Sequence, residues 1–145
     1  MIAKLSAQSL AQLGALELSD PGPSASPLHR RLYELLNRPL ASLSVVDWRV
    51  LIAQDLGLDF LVAPAMDALE KAPLLETEHF QGDLLVALLR ADPTFYASHP
   101  DLRLRLERLL ERVPAALDEL DFINFDTTSE ALEEAISEFR AKRRP

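Results

Sequence analysis

Apolar residues recur along this chain at three- and four-residue spacing and almost nowhere in strict alternation, so the elements it predicts are helices. A first helix is expected from about Ser6 to Leu13. Asp20, Pro21, Gly22, Pro23 and the serines through Ser26 then read as a loop. Ser26 is placed to cap a helix that has Pro27 at its first position: the hydroxyl accepts from a free first-turn amide, and proline has no amide to leave unpaired. That helix carries Leu28, Leu32, Leu35 and Leu36 on one face and should end near Asn37, ahead of Pro39. Ser44 with Asp47 three residues on resembles a capping box. The segment it opens (Val45, Val46, Trp48, Val50, Leu51 and Ile52) is apolar on most sides, as a buried helix is. Gly57 is expected to end it as a C-terminal cap.

Leu58, Phe60, Leu61, Val62, Met66 and Leu69 predict the next helix, with Pro64 inside it to kink it or mark a new start. Another is expected over Gly82 to Ala91, around the run from Leu84 to Leu89. Segments 45–52, 58–69 and 83–90 form the expected central core. Asp92-Pro93 starts a short helix with Phe95 and Tyr96. His99-Pro100 starts a longer one, with Leu102, Leu106, Leu109, Leu110 and Val113 inward. On its outer face Asp101 is spaced to pair with Arg105, and Arg103 with Glu107. Pro114 opens a further short piece to about Leu120. Thr128 or Ser129 is expected to cap a last helix with Leu132, Ile136 and Phe139 as its stripe, and the basic tail 140–145 is expected to fray. No internal period repeats. The chain is therefore expected to be all-α: a single multi-helix domain over residues 1–145 with about seven to nine helices, some of them short.

Composition narrows the function classes. The chain has 145 residues, 48% of them hydrophobic and 26% charged, which is globular rather than disordered composition. It has no cysteine, which favours a reducing compartment. The start, Met1-Ile2-Ala3-Lys4-Leu5, lacks the charged head and apolar run of a signal peptide, and no apolar stretch is long enough to span a bilayer. A cytoplasmic protein with no membrane contact is expected. The net charge of −8 argues against a nucleic-acid partner, whose phosphates it would repel. The acidity is also localised. Residues 113–139 hold Asp118, Glu119, Asp121, Asp126, Glu130, Glu133, Glu134 and Glu138 and no base, so this one segment equals the whole net charge. Glu130, Glu133, Glu134 and Glu138 share one helix face opposite the apolar stripe. Like charges so spaced repel, and solubility is better served by mixed charges; a concentrated acidic face suits the steering of a basic protein. A solvated amphipathic helix is the alternative. A second acidic stretch runs from Asp55 to Asp83, opposed only by Lys71, and its loop from Glu76 to Gly82 offers His79-Phe80 either as a contact or as a turn tucked into the core.

Candidate chemistry is sparse. His29, His79 and His99 have no histidine partner at helical spacing, so no helical metal pair forms, and Glu76, Glu78 and His79 would point in different directions on a helix. A calcium loop framed on Asn124 would place Asp126 and Thr128 correctly, but Ser129 stands where the glycine belongs and Ala135 where the final glutamate belongs. There is no cysteine nucleophile, no glycine-flanked serine, and too little glycine for a phosphate-cradling loop. No catalytic residue, metal, cofactor or small-molecule ligand is expected, and the chain reads as a non-enzyme.

Three runs carry a resemblance. The first is Arg38-Pro39-Leu40 followed by Ser44-Val45-Val46-Asp47-Trp48-Arg49. The second is Leu51-Ile52-Ala53-Gln54-Asp55-Leu56-Gly57-Leu58-Asp59-Phe60-Leu61 with Pro64-Ala65 after it. The third is Pro73-Leu74-Leu75-Glu76 and then Phe80-Gln81-Gly82-Asp83-Leu84-Leu85. In their order and spacing they resemble the immunity proteins of contact-dependent growth inhibition systems, over roughly residues 28–96, about half the chain. Gln81 stands where that pattern has proline, and Ala72 where it has asparagine; both are turn positions. The resemblance implies a bacterial, cytoplasmic inhibitor that binds a cognate toxin domain stoichiometrically. Many such toxins are nucleases with basic clefts, which an acidic inhibitor would fit. The matching residues are core and turn residues and identify no contact surface. The acidic residues Asp118, Glu119, Asp121, Asp126, Glu130, Glu133, Glu134 and Glu138 are therefore the expected toxin-binding set. A helical adaptor or scaffold with no toxin partner is the alternative.

Overall fold

The structure, a computed structural model, describes residues 7–14 and 22–142. Among them are eight α-helices: α1 (Pro27–Leu36), α2 (Val45–Ala53), α3 (Leu58–Lys71), α4 (Asp83–Arg90), α5 (Pro93–Ser98), α6 (Pro100–Leu110), α7 (Val113–Asp118) and α8 (Phe122–Lys142). A short 3-10 turn, Leu40–Ser42, joins α1 to α2. The protein is all-α, with only two isolated β-bridges among the described residues, Ser9 with Pro39 and Glu76 with Gln81.

Helix α4 is the axis of the packing. Every residue from Asp83 to Leu89 is buried, and α2, α3 and α8 lie against it. Helix α1 packs on α2, α6 on α3, α5 on α6, and α7 against the start of α8. One apolar cluster runs through all of these, from Leu10 to Phe139, with Leu51, Ile52, Leu61, Met66, Leu84, Leu85, Leu88 and Leu106 fully enclosed. The expected core segments are thus its centre.

Local side-chain capping set half of the helix starts. Ser26 Oγ accepts from His29 N–H ahead of Pro27. Ser44 and Asp47 form the reciprocal box, at 3.3 and 2.9 Å. Asp92 Oδ1 accepts from Thr94 N–H at 2.9 Å before Pro93 opens α5. Pro64 neither ends α3 nor starts a new helix; α3 runs unbroken from Leu58 to Lys71.

Three expectations are corrected. Residues 7–14 form turns, not a helix, and Ser6 lies outside the described residues. Ser9 and Gln12 do cap each other, but Gly14 (φ +77°) stops the chain after one turn. Two backbone bonds reach across instead: Ala11 N–H donates to the Leu36 carbonyl and the Gln8 carbonyl accepts from Leu40 N–H, both at 2.9 Å. Gly57 does not end α2. Gln54 is the C-cap there, Asp55 takes a left-handed turn (φ +57°), and Gly57 (φ +66°) precedes α3, under the side chain of Leu10. Finally, the last helix starts at Phe122, capped by Asp121, whose Oδ1 accepts from Asn124 N–H at 2.8 Å. Thr128 lies inside that helix, fully buried, and donates to the Gln81 carbonyl at 2.8 Å. The helix includes Arg140 and Lys142; residues 143–145 lie outside the described residues.

Candidate functional site

Five acids of the second acidic stretch, Asp55, Asp67, Glu70, Glu78 and Asp83, are engaged by the fold. Arg105 of α6 does not pair with Asp101 but crosses to α3, with Nη2 at 2.7 Å from Asp67 and 2.5 Å from Glu70, and Nε at 3.1 Å from Glu70. Those hydrogen bonds hold the Glu70 carboxyl below its ordinary value. Glu78 is bound by Arg49 at 2.9 Å and by Arg31 at 3.0 Å, which likewise depress its pKa. Asp55 accepts from Asp92 N–H at 2.8 Å. Asp83 is buried, and its carboxylate gathers the loop before α4: Thr77 N–H at 2.8 Å, Thr77 Oγ1 at 2.6 Å, and the N–H groups of Glu78 and His79 at 3.0 Å each. Burial pushes its pKa up, but those donors together outweigh burial and leave it lowered. In that loop His79 is exposed and Phe80 is packed against the core. The bases that neutralise this stretch come from α1, α2 and α6, far away in sequence.

A cleft of about 320 Å³ lies beside it, lined by Asp55, Leu58, Asp59, Asp92, Thr94 and His99 among others. His99 donates through Nδ1 to the Phe95 carbonyl at 2.9 Å and stacks on the Phe95 ring, with Nε2 3.7 Å from Asp59. Its ring thus serves to join α5 to α6. Among the described residues no group of three or more histidines and carboxylates is placed to hold a metal ion.

Helix α8 is different. Thr128, Leu132, Ala135 and Phe139 form its buried stripe and pack on α4. At 3.6 residues per turn, Phe122, Ile123, Asp126, Glu130, Glu133 and Glu134 fall within an arc of about 120° on the opposite side. Asp118 and Glu119 stand exposed at the turn from α7. Of the expected toxin-binding residues, then, Asp126, Glu130, Glu133 and Glu134 are brought into one outward strip, while Asp118 and Glu119 are exposed just ahead of it in the chain. Asp121 is exposed but engaged as the cap, and Glu138 falls to the side. The segment has no base in sequence, yet it has one in space: Arg90, at the end of α4, lies 3.3 Å from Glu138 and 3.7 Å from Glu134. Among the described residues Asp118, Glu119, Asp126, Glu130 and Glu133 make no ion pair.

The strip also holds residues that the reading of the sequence missed. Phe122 and Ile123 are 93% and 84% exposed, against 47% for Leu104, 45% for Leu28 and 39% for Phe125, the other large apolar side chains exposed among the described residues. The signal was present: Asp121 is as good a cap as Thr128, and starting the helix there turns Phe122 and Ile123 away from the Leu132 stripe.

No helix among the described residues is long and apolar enough to cross a membrane. Comparison with curated proteins and with solved structures finds no match. A family model described as CDI immunity proteins matches residues 12–106, which takes in α1 to most of α6 and stops short of α8. That match spans well over half of the chain, and its segment contains the three runs on which the resemblance rests. The chain belongs to the family of CDI (contact-dependent growth inhibition) immunity proteins.

Proposed function

We propose that this CDI immunity protein acts in the cytoplasm, catalyses nothing, and neutralises one cognate toxin domain by binding it stoichiometrically through the outward strip of α8. The observation that carries the reading is that strip: Asp126, Glu130 and Glu133 stand in a row without counter-ions, on a helix whose other side is anchored in the core. Three like charges at these spacings cost the helix tenths of a kcal/mol per pair. They return that cost in a complex with a basic surface, where complementary potentials speed encounter and set orientation. A toxin that grips nucleic-acid phosphate has such a surface, so the partner is a basic domain and a nuclease fits it. The strip lies outside residues 12–106 and is a feature of this chain rather than of the family model.

The test is co-expression with the toxin domain encoded beside the gene, followed by co-purification and a binding titration at several salt concentrations. Protection from the toxin, a stable complex, and an affinity that falls steeply with salt are expected. Reversing the unpaired carboxylates (Asp126→Lys, Glu130→Lys and Glu133→Lys together) should slow association and flatten the salt dependence with the fold intact. Cells killed equally with and without the protein would end the proposal. Unchanged binding by the reversed variant would move the interface off α8.

A further inference from the structure

Phe122 and Ile123 have no structural use where they stand. Each is a large apolar side chain held almost wholly in solvent, on the first turn of a 21-residue helix. They do not fray from the body: Asp121 fixes that turn through Asn124 N–H at 2.8 Å and Asn124 Nδ2 at 2.9 Å, and the Asp121 carbonyl accepts from Phe125 N–H at 3.1 Å. Exposed apolar groups presented rigidly and rimmed by charge mark protein contact sites. The charges nearest in the chain are acidic: Asp126, Glu130 and Glu133 share the outward strip with the pair, and Asp118 and Glu119 are exposed at the turn just before it.

On the reading that α8 faces the toxin, we infer that Phe122 and Ile123 are its affinity anchor: a two-residue apolar plug that enters a pocket bordered by basic side chains on the toxin domain. The carboxylates then supply rate and register, and the plug supplies residence time, since buried aromatic and aliphatic anchors dominate binding energy while rim charges govern encounter. The charge pattern selects this occupant over a second copy of the chain. Two α8 helices paired antiparallel about a two-fold axis would offer Arg140 and Lys142 to Asp118 and Asp126. Their midpoint, however, lies at Leu132, so Glu130, Glu133 and Glu134 of both copies would meet at the axis, six carboxylates against one Arg90 from each copy, which is already held by Glu134 and Glu138. A basic, asymmetric partner meets the same strip with no such conflict.

The experiment is a titration of the purified chain with the catalytically inactivated toxin domain encoded beside its gene, wild type against Phe122→Ala with Ile123→Ala. Alanine is the best helix former and neither side chain supports the core, so the melting curve should be unchanged. The double variant should bind at least about 100-fold more weakly, mostly through faster dissociation, with the salt dependence of wild type retained. Association should slow little. Wild-type affinity in the double variant would overturn the anchor while leaving the acidic strip in place. A wild-type protein that does not bind this toxin would instead overturn the reading on which the anchor rests. Sedimentation of the chain alone separates the other occupant: a wild-type dimer that the double substitution converts to monomer, with toxin binding unchanged, also overturns it.

Discussion

Replacing Asp83 by alanine tests how the loop before the central helix is held. Asp83 is 4% exposed and accepts four hydrogen bonds, from Thr77 N–H, Thr77 Oγ1, Glu78 N–H and His79 N–H. Bonds to a charged acceptor contribute about 1.5–3 kcal/mol each, so a plain sum would approach 10 kcal/mol. Two effects reduce it. The substitution returns the cost of burying a carboxylate, and the Glu78 and His79 amides belong to exposed residues that water can reach once the loop loosens. A net loss of about 3 kcal/mol follows, or a melting temperature lower by about 6–12 °C in a domain of this size. Urea unfolding at neutral pH, followed by circular dichroism, measures it, with an unchanged dependence on urea concentration as the check that only the native state has changed. The pH profile adds a sign. The Asp83 pKa is lowered in the folded protein, so its contribution is full above the unfolded value of about 3.9 and is lost as pH falls through the folded one. Wild type and Asp83→Ala should therefore converge on acidification below about pH 4. A loss under about 1 kcal/mol at neutral pH, or a difference that does not shrink in acid, would refute the reasoning and assign the loop to the packing of Leu74 and Phe80.

Two further outcomes are expected. Arg105→Met keeps the apolar stem and removes the fork that joins α6 to Asp67 and Glu70; it should cost about 1 kcal/mol at low ionic strength and less in about 1 M salt, read from paired urea midpoints. Gly57→Ala forces a left-handed conformation (φ +66°) on a residue with a Cβ, which would sit 2.8 Å from Leu10 Cδ1. It should cost about 2–3 kcal/mol, and in a Leu10→Ala background only the roughly 1 kcal/mol of backbone strain should remain, as a double-mutant cycle would reveal.

The family could be read from the sequence because its signature is local and periodic. Pro39, the Ser44–Asp47 box, Gly57 and Gly82 sit at turns and caps, and the leucines between them keep helical spacing, so their order alone is recognisable. The candidate site was legible only in part. Glu130, Glu133 and Glu134 share a face by helical arithmetic, which needs no partner helix, whereas Asp126 joins them only because α8 begins at Phe122, and Glu138, expected on that face, falls to its side. The plug formed by Phe122 and Ile123 was missed because their exposure depends on where α8 begins and on which of its sides meets α4.

What the chain determined by itself was therefore the set of contacts that close within about one helical turn: the caps at Ser26, Ser44 and Asp92, the prolines that open helices, the three core segments, and a segment of eight acids. Tertiary structure decided everything that joins residues tens of positions apart. It tied the first segment to the end of α1, giving the Ala11 amide to Leu36 and the Gln8 carbonyl to Leu40. It made Thr128 a buried donor to Gln81 rather than a cap, and sent Arg105 to Asp67 and Glu70 rather than to Asp101. It also brought Arg90 to Glu134 and Glu138, which leaves Asp126, Glu130 and Glu133 as the row without counter-ions. The reason is physical: a cap or a helix period depends on neighbours fixed by covalent geometry, whereas an ion pair or an exposed face depends on how whole helices pack, and that packing is settled by the apolar cluster around α4.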